Sequence, residues 1–442
     1  MSASPDKSPS SAAGLAAHER VEAATGPPDR DPGRHADQTF ARRFLEHVWS
    51  TNPVTVTALA VLLAALIGAV LIVVSDPATV AAFGYFLDRP GDALGRSAAL
   101  VGEAYGNLLK GALVDPATLD RWLSGDADWR QVLYPISETL TYTTPLVFTG
   151  LAVAVAFRAG LFNIGAQGQA TMGVIAAALA GFWLPLPVGL HLLVAVLAGA
   201  AGGAVWGFLP GILKARAGAH EVITTIMLNY VAFSFLTWIV HQPGVQDPGR
   251  TDFISRPVDA SAQLPRLFGE PLRVDAGVVL AVAVTAGVAW LLSRSTVGFE
   301  LRAVGANPDA ARAAGISVAG TFVLAMTLSG ALAGLGGGQA VLGATASALT
   351  PSVVAQIGFD GILVALLGRV RPWGVALAAL LFGALRAGGN TMQSAAGVSL
   401  ELVTVLQALI VVFIAAPALV KALFRLRAAG PGGAPTGLAK GW

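Results

Sequence analysis

Apolar residues along this chain gather into ten runs, separated by short polar stretches. The runs cover 54–74, 136–157, 161–183, 188–213, 222–241, 274–292, 318–342, 353–367, 373–388 and 400–416. About 20 apolar residues are needed to cross a bilayer as a helix, and soluble domains do not repeat runs of that length. The pattern predicts an all-α polytopic membrane protein with about ten transmembrane segments within residues 51–427. The eighth and ninth runs are short, and the expectation is that they are tilted, broken or buried in protein. Residues 1–50 are rich in Ser, Pro, Asp, Ala and Arg, and 428–442 contain "GPGGAPTG". Neither can bury enough apolar surface to offset ordering entropy, so both read as disordered tails.

Composition supports the membrane reading. The chain is 55% hydrophobic and 12% charged, about half the charged fraction of a soluble domain. A net charge of +2 excludes a strongly basic surface for nucleic acid. Cysteine is absent, which removes disulfides, thiolate metal sites and a thiol nucleophile. Lys and Arg set the orientation. Arg158, Lys214, Arg216, Arg294, Arg302, Arg312, Arg369, Arg371 and Lys421 fall on one side, and the other side holds dispersed cations mixed with acids. Both termini and the loop 293–317 are therefore expected in the cytoplasm, and loops 75–134 and 242–273 outside. The first outer loop holds the amphipathic "GRSAALVGEAYGNLLKGALV", expected to lie on the outer surface or to cover a cavity.

Glycine recurs every fourth residue at Gly199, Gly203, Gly207 and Gly211, and again at Gly330, Gly334 and Gly338. On a helix this spacing makes a flat seam, expected to pack inside the bundle rather than between subunits. Polar groups at membrane depth need a partner or a water-filled path. "ETLTYTTPLVFTG" places Thr143 in the second run, "RAGLFNIGAQGQATMG" places Asn163, Gln167 and Gln169 among glycines, and "HEVITTIMLNY" adds Thr225 and Asn229. The amides among glycines suggest a discontinuous element lining a cavity. The alternative is that these groups bond between helices and fix the bundle, which suits the isolated threonines better. Uncharged amides suit a neutral polar solute.

No catalytic cluster, metal-ligand spacing or phosphate-binding loop with G-x-x-x-x-G-K-[ST] occurs. The "SGALAGLGGGQ" stretch follows no strand and reads as part of an apolar helix. No enzymatic activity and no bound cofactor are expected of this chain.

One polar stretch stands apart, "GFELRAVGANPDAARAAGI" at 298–316. Asn307 is a favoured N-cap, Pro308 suits the first helical position, Asp309 complements the helix dipole, and Gly315 suits the residue past the C-terminus. The expected product is two turns of helix over 308–314, too short to be stable undocked. On the residues alone it is either an ordinary folded loop or an element passing motion to a cytoplasmic partner.

"RAGLFNIGAQGQATMG", "HEVITTIMLNYVAF", "GFELRAVGANPDAARAAGI" and "GFDGILVALLGRVRPWGVALAALLFGAL" together resemble ABC-importer permeases of the branched-chain amino acid, ribose and nucleoside group, most of all the larger permease of bacterial nucleoside importers. The resemblance runs from about residue 134 to 416. It implies the type II importer fold in a bacterial plasma membrane and a second permease forming a heterodimer. It also implies a cytoplasmic ABC ATPase that uses ATP and Mg, and an extracellular substrate-binding lipoprotein. The solute would be a nucleoside, or alternatively a pentose or other simple sugar; an ion-coupled secondary transporter is the rival class. Within this picture Asn163, Gln167, Gln169, Thr143, Thr225 and Asn229 are the candidate translocation residues. Glu300, Arg302, Asn307, Pro308, Asp309, Arg312 and Gly315 are the candidates for coupling to the ATPase. Relatives usually carry Glu where this chain has Gln167.

Overall fold

The computed structural model describes residues 53–343 and 346–424; the tails expected at 1–50 and 428–442 lie outside the described residues. Every regular element longer than one turn is an α-helix, and the described residues contain no strand, only two isolated bridges. The helices are α1 (Pro53–Ser75), α2 (Pro77–Phe83), α3 (Pro90–Ala112), α4 (Pro116–Leu123), α5 (Trp129–Arg158), α6 (Ala166–Trp183), α7 (Leu190–Ala217) and α8 (Glu221–Val240). After a long loop come α9 (Gly277–Arg294), α10 (Thr296–Ala306), α11 (Pro308–Ala313), α12 (Val318–Leu342), α13 (Ile357–Leu367), α14 (Pro372–Ala396), α15 (Leu400–Ala415) and α16 (Pro417–Leu423).

Each predicted run contains a helix. Among the described residues seven helices (α1, α5, α7, α8, α9, α12 and α14) are long and apolar enough to cross a membrane, while α13 and α15 are shorter apolar helices. α5 is the central post: 83% of its most apolar window is buried inside the chain itself, against 22% for α1 and α7. Phe148, Leu151 and the run Ala152–Ala156 are wholly enclosed. Exposed Leu, Val, Phe and Trp cover the outer faces of α1, α7, α8 and α9, which is the inverse of a soluble surface and suits a hydrocarbon solvent.

The glycine seams meet each other. A Cβ added at Gly203 would overlap the Gly330 carbonyl, one at Gly334 would overlap the Gly199 carbonyl, and one at Gly173 would overlap Gly334 itself. The α6, α7 and α12 backbones are therefore in direct contact, which only residues without side chains allow. The seams pack inside the bundle, as the spacing predicts.

The discontinuous element expected at the amides among glycines is present: α6 begins only at Ala166, after an irregular stretch that enters through Gly160 at φ +74. The eighth run, expected to be tilted, broken or buried, is helical only from Ile357, so the chain approaches α13 through irregular backbone. One expectation changes. The ninth was expected to be short, yet α14 has 25 residues. Its polar second half, with Asn390 and Thr391, continues the helix because α3 and α5 cover it. The amphipathic stretch expected as a surface or lid element is α3, laid along α14 with Gly111 and Gly388 at the crossing. Tyr105 Oη also donates to the carbonyl of Ala65 on α1 at 2.6 Å.

Candidate functional site

The irregular stretch 161–165 leaves backbone groups unpaired inside the bundle, where each costs several kcal/mol in a hydrocarbon surrounding. Side chains predicted as site residues meet that need. Asn163 is fully enclosed. Its Oδ1 accepts from Gly165 N at 2.9 Å, and its Nδ2 donates to Gln169 Oε1 and to Ser329 Oγ, both at 2.8 Å. Ser329 on α12 passes the chain on by donating to the Ala152 carbonyl of α5 at 2.6 Å. Asn229 on α8 closes the other side: its Oδ1 accepts from Gly168 N at 2.8 Å and its Nδ2 donates to the Ile164 carbonyl at 3.0 Å. Thr225 is buried against Gly165 and donates to Val222 O at 3.1 Å.

Gln167 links this knot to the second break. Its Oε1 accepts from Gly358 N at 2.9 Å, in the first turn of α13, and its Nε2 donates to the Ala355 carbonyl at 2.8 Å. Thr149 of α5 holds the same junction through Ile357 O at 2.9 Å. Ala355 has φ +37, unusual for a side chain with a Cβ. Gln167 thus substitutes for the backbone partners that a continuous helix would have supplied.

Five of the six cavity candidates therefore come together, in a bracket whose amides bond to one another and to backbone. The sixth, Thr143, lies elsewhere: it donates to Thr139 O at 2.7 Å, abuts Gly383 of α14, and lines an apolar groove with Val278, Ala281 and Leu377. In this structure the hydrogen-bonding capacity of these side chains goes to one another and to the backbone at the two helix breaks. Ser329 was missed, hidden in the glycine-rich stretch, and its hydroxyl in an otherwise apolar helix was the available signal.

The loop between α9 and α12 folds as its caps predict. Asn307 Oδ1 accepts from Asp309 N and Ala310 N at 3.0 and 3.1 Å, Gly315 has φ +85, and Arg312 pairs with Asp309 at 2.7 Å. Upstream, Ser295 caps α10 through Gly298 N at 2.9 Å. Val304, Ala311 and Val318 form a small core that docks α10 and α11 on the base of α12. Gly305 abuts Arg158 and Gly160, so the arm also rests on the end of α5. Asn307, Pro308, Asp309, Arg312 and Gly315 are exposed, Glu300 and Arg302 half-buried. Phe299 is 59% exposed beside them. The structure places all seven coupling candidates on the α10–α11 segment and the turn after it, beside the Arg158 end of α5.

Comparison with known proteins agrees with this architecture. The family model for the branched-chain amino acid transport system permease component matches residues 136–415. The guanosine ABC transporter permease protein NupP of Bacillus subtilis is 40% identical over 283 residues, 64% of this chain and 81% of that protein. The nucleoside ABC transporter permease protein NupB of Lactococcus lactis subsp. cremoris is 40% identical over 63% of this chain and 79% of its own length. A glucose ABC transporter permease protein of Haloferax volcanii is 35% identical, covering 64% and 76%. No solved structure matches the chain significantly. The matched segment runs from the central post α5 through the bracket and the capped arm to α15, and the chain belongs to the family of branched-chain amino acid transport system permease components, as a membrane-embedded, non-catalytic ABC transporter subunit.

Proposed function

We propose that this chain is one half of a heterodimeric ABC importer that carries nucleosides inward, driven by ATP and Mg at a separate ATPase and fed by an extracellular binding lipoprotein. The similarity to guanosine and nucleoside permeases across the whole core carries the solute reading. The α10–α11 arm supports the coupling reading. It is exposed at its tip, yet attached to the base of α12 and the end of α5. A push on the arm would be passed as rigid-body motion to the two helices that hold the bracket. Arg302 and Arg371 both lie near Arg158 at this end, a charge excess that suits an acidic partner surface and a cytoplasmic placement of both termini. The bracket residues Asn163, Gln167, Gln169, Thr225 and Asn229 would then hold the two broken segments in register during that motion, and Thr143 would sit on the face that meets the second permease.

The Haloferax volcanii relative favours a second reading, in which the solute is a simple sugar. Uptake of labelled guanosine, ribose and glucose by the reconstituted transporter separates them. Saturable, ATP-dependent guanosine uptake is expected. Uptake that survives loss of the ATPase and collapses with the ion gradient would instead identify an ion-coupled carrier.

A further inference from the structure

At the end of the bundle opposite the α10–α11 arm, a polar pocket of about 180 Å³ opens between α3, α5 and α14. Glu138 of α5 forms part of its wall, with Tyr134, Asn390, Thr391 and Ser394, and Gly111 of α3. Oε2 of the Glu138 carboxylate accepts from Arg273 Nη1 at 2.9 Å, the Tyr134 hydroxyl lies close beside the carboxylate, and Oε1 is buried without a well-formed hydrogen bond among the described residues. A buried carboxylate oxygen with nothing to accept is expensive and calls for a ligand or water. The loop carrying Arg273 is held in place from the same helix, since Ser137 Oγ accepts from Arg273 N and Val274 N at 2.7 and 2.9 Å. The ion pair is therefore a built feature.

The remaining groups define what would fit. Asn390 Nδ2 donates to Tyr142 Oη at 3.0 Å, which leaves its carbonyl oxygen to accept. Thr391 and Ser394 spend their hydroxyl protons on carbonyls of α14 at 3.4 and 3.1 Å, so they too present lone pairs. Apart from the Tyr134 hydroxyl, the wall is rich in acceptors, and the carboxylate is paired with Arg273 behind it. A cation gains little from a carboxylate that is already paired, and an anion would meet that carboxylate. A neutral molecule with several O–H donors satisfies the site without either conflict. The volume lies below the roughly 300 Å³ at which pockets for whole ligands begin, so the pocket takes a part of a solute, of sugar-ring size.

We propose that this pocket is a subsite for vicinal hydroxyls of the solute, with the Glu138 carboxylate and the Asn390 carbonyl as acceptors. It rests on the reading of the chain as a nucleoside or sugar permease, and names the part of the solute that is recognised.

The test uses the full chain, purified with its partner permease. D-ribose should raise the thermal unfolding temperature, and tetrahydrofurfuryl alcohol, which keeps the ring and lacks the diol, should not. Glu138→Gln and Asn390→Ala should both abolish the ribose shift. In the complete reconstituted transporter, Glu138→Gln should raise KM for guanosine about tenfold, the loss expected for weakening one hydrogen bond to a charged group, and Asn390→Ala about fivefold, that for a neutral one. KM for 2′,3′-dideoxyguanosine should be unchanged. Absence of a ribose shift in the unsubstituted protein, or an equal effect on both nucleosides, overturns the subsite and leaves a water-filled structural seam. A ribose shift that depends on Glu138, in a transporter that carries no nucleoside, refutes the nucleoside reading and keeps the subsite.

Discussion

Two of the polar clusters among the described residues, around Asn163 and around Glu138, make an instructive pair. Around Asn163 the described amide contacts are spoken for: Asn163, Gln169, Asn229 and Ser329 bond among themselves, to the backbone of 164–168 and to the Ala152 carbonyl. Around Glu138 one buried oxygen has no well-formed hydrogen bond among the described residues, and Asn390, Thr391 and Ser394 offer acceptors to an open space. Amides and hydroxyls occur in both places, and the second adds the Glu138–Arg273 ion pair. Saturation separates them: a saturated network rigidifies a break in a helix, while an unsaturated one leaves capacity for a ligand.

Removing the centre of the saturated cluster should do the most damage. Asn163→Leu leaves Gly165 N, Gln169 and Ser329 without their partner, and at about 1–3 kcal/mol per abandoned buried group little folded protein is expected in detergent by size-exclusion chromatography. Normal yield and melting temperature would erase the distinction between the clusters. A smaller effect is expected from Gln167→Glu. The carboxylate still accepts from Gly358 N but cannot donate to Ala355 O, so one hydrogen bond of about 1 kcal/mol is lost and the melting temperature falls by a few degrees. An unchanged value would mean that the junction before α13 does not depend on that donor. The smallest stability change belongs to Arg312→Ala on the projecting arm. Its partner Asp309 is 88% exposed, and such pairs add little to stability. Melting should be unaffected, while ATPase association and transport fall. Unchanged transport would remove Arg312 from the coupling surface.

The capped arm at 307–315 was legible because its signals are local. Asn, Pro, Asp and Gly act within four residues, and the observed caps are those the residues demand. The glycine seams were legible for a related reason: a spacing of four has one geometric meaning on a helix. The true length of α14 was not. Polar Arg386, Asn390 and Thr391 end an apolar run by composition, and only the cover from α3 and α5 lets the helix continue through them. The Glu138 pocket was equally hidden. Its Glu and Asn lie 252 positions apart in sequence, and Arg273 comes from a loop whose course nothing local specifies.

The sequence by itself determined that the chain is helical, membrane-embedded, glycine-packed and equipped with a capped projecting arm, because hydropathy, helical spacing and capping are properties of neighbours along the chain. Only the tertiary structure decided which polar groups are spent and which are free. A hydrogen bond between Asn163 and Ser329, 166 residues away, is invisible until the helices are packed. Saturation is a property of the packed bundle, and in this protein it distinguishes a structural brace from a candidate binding site.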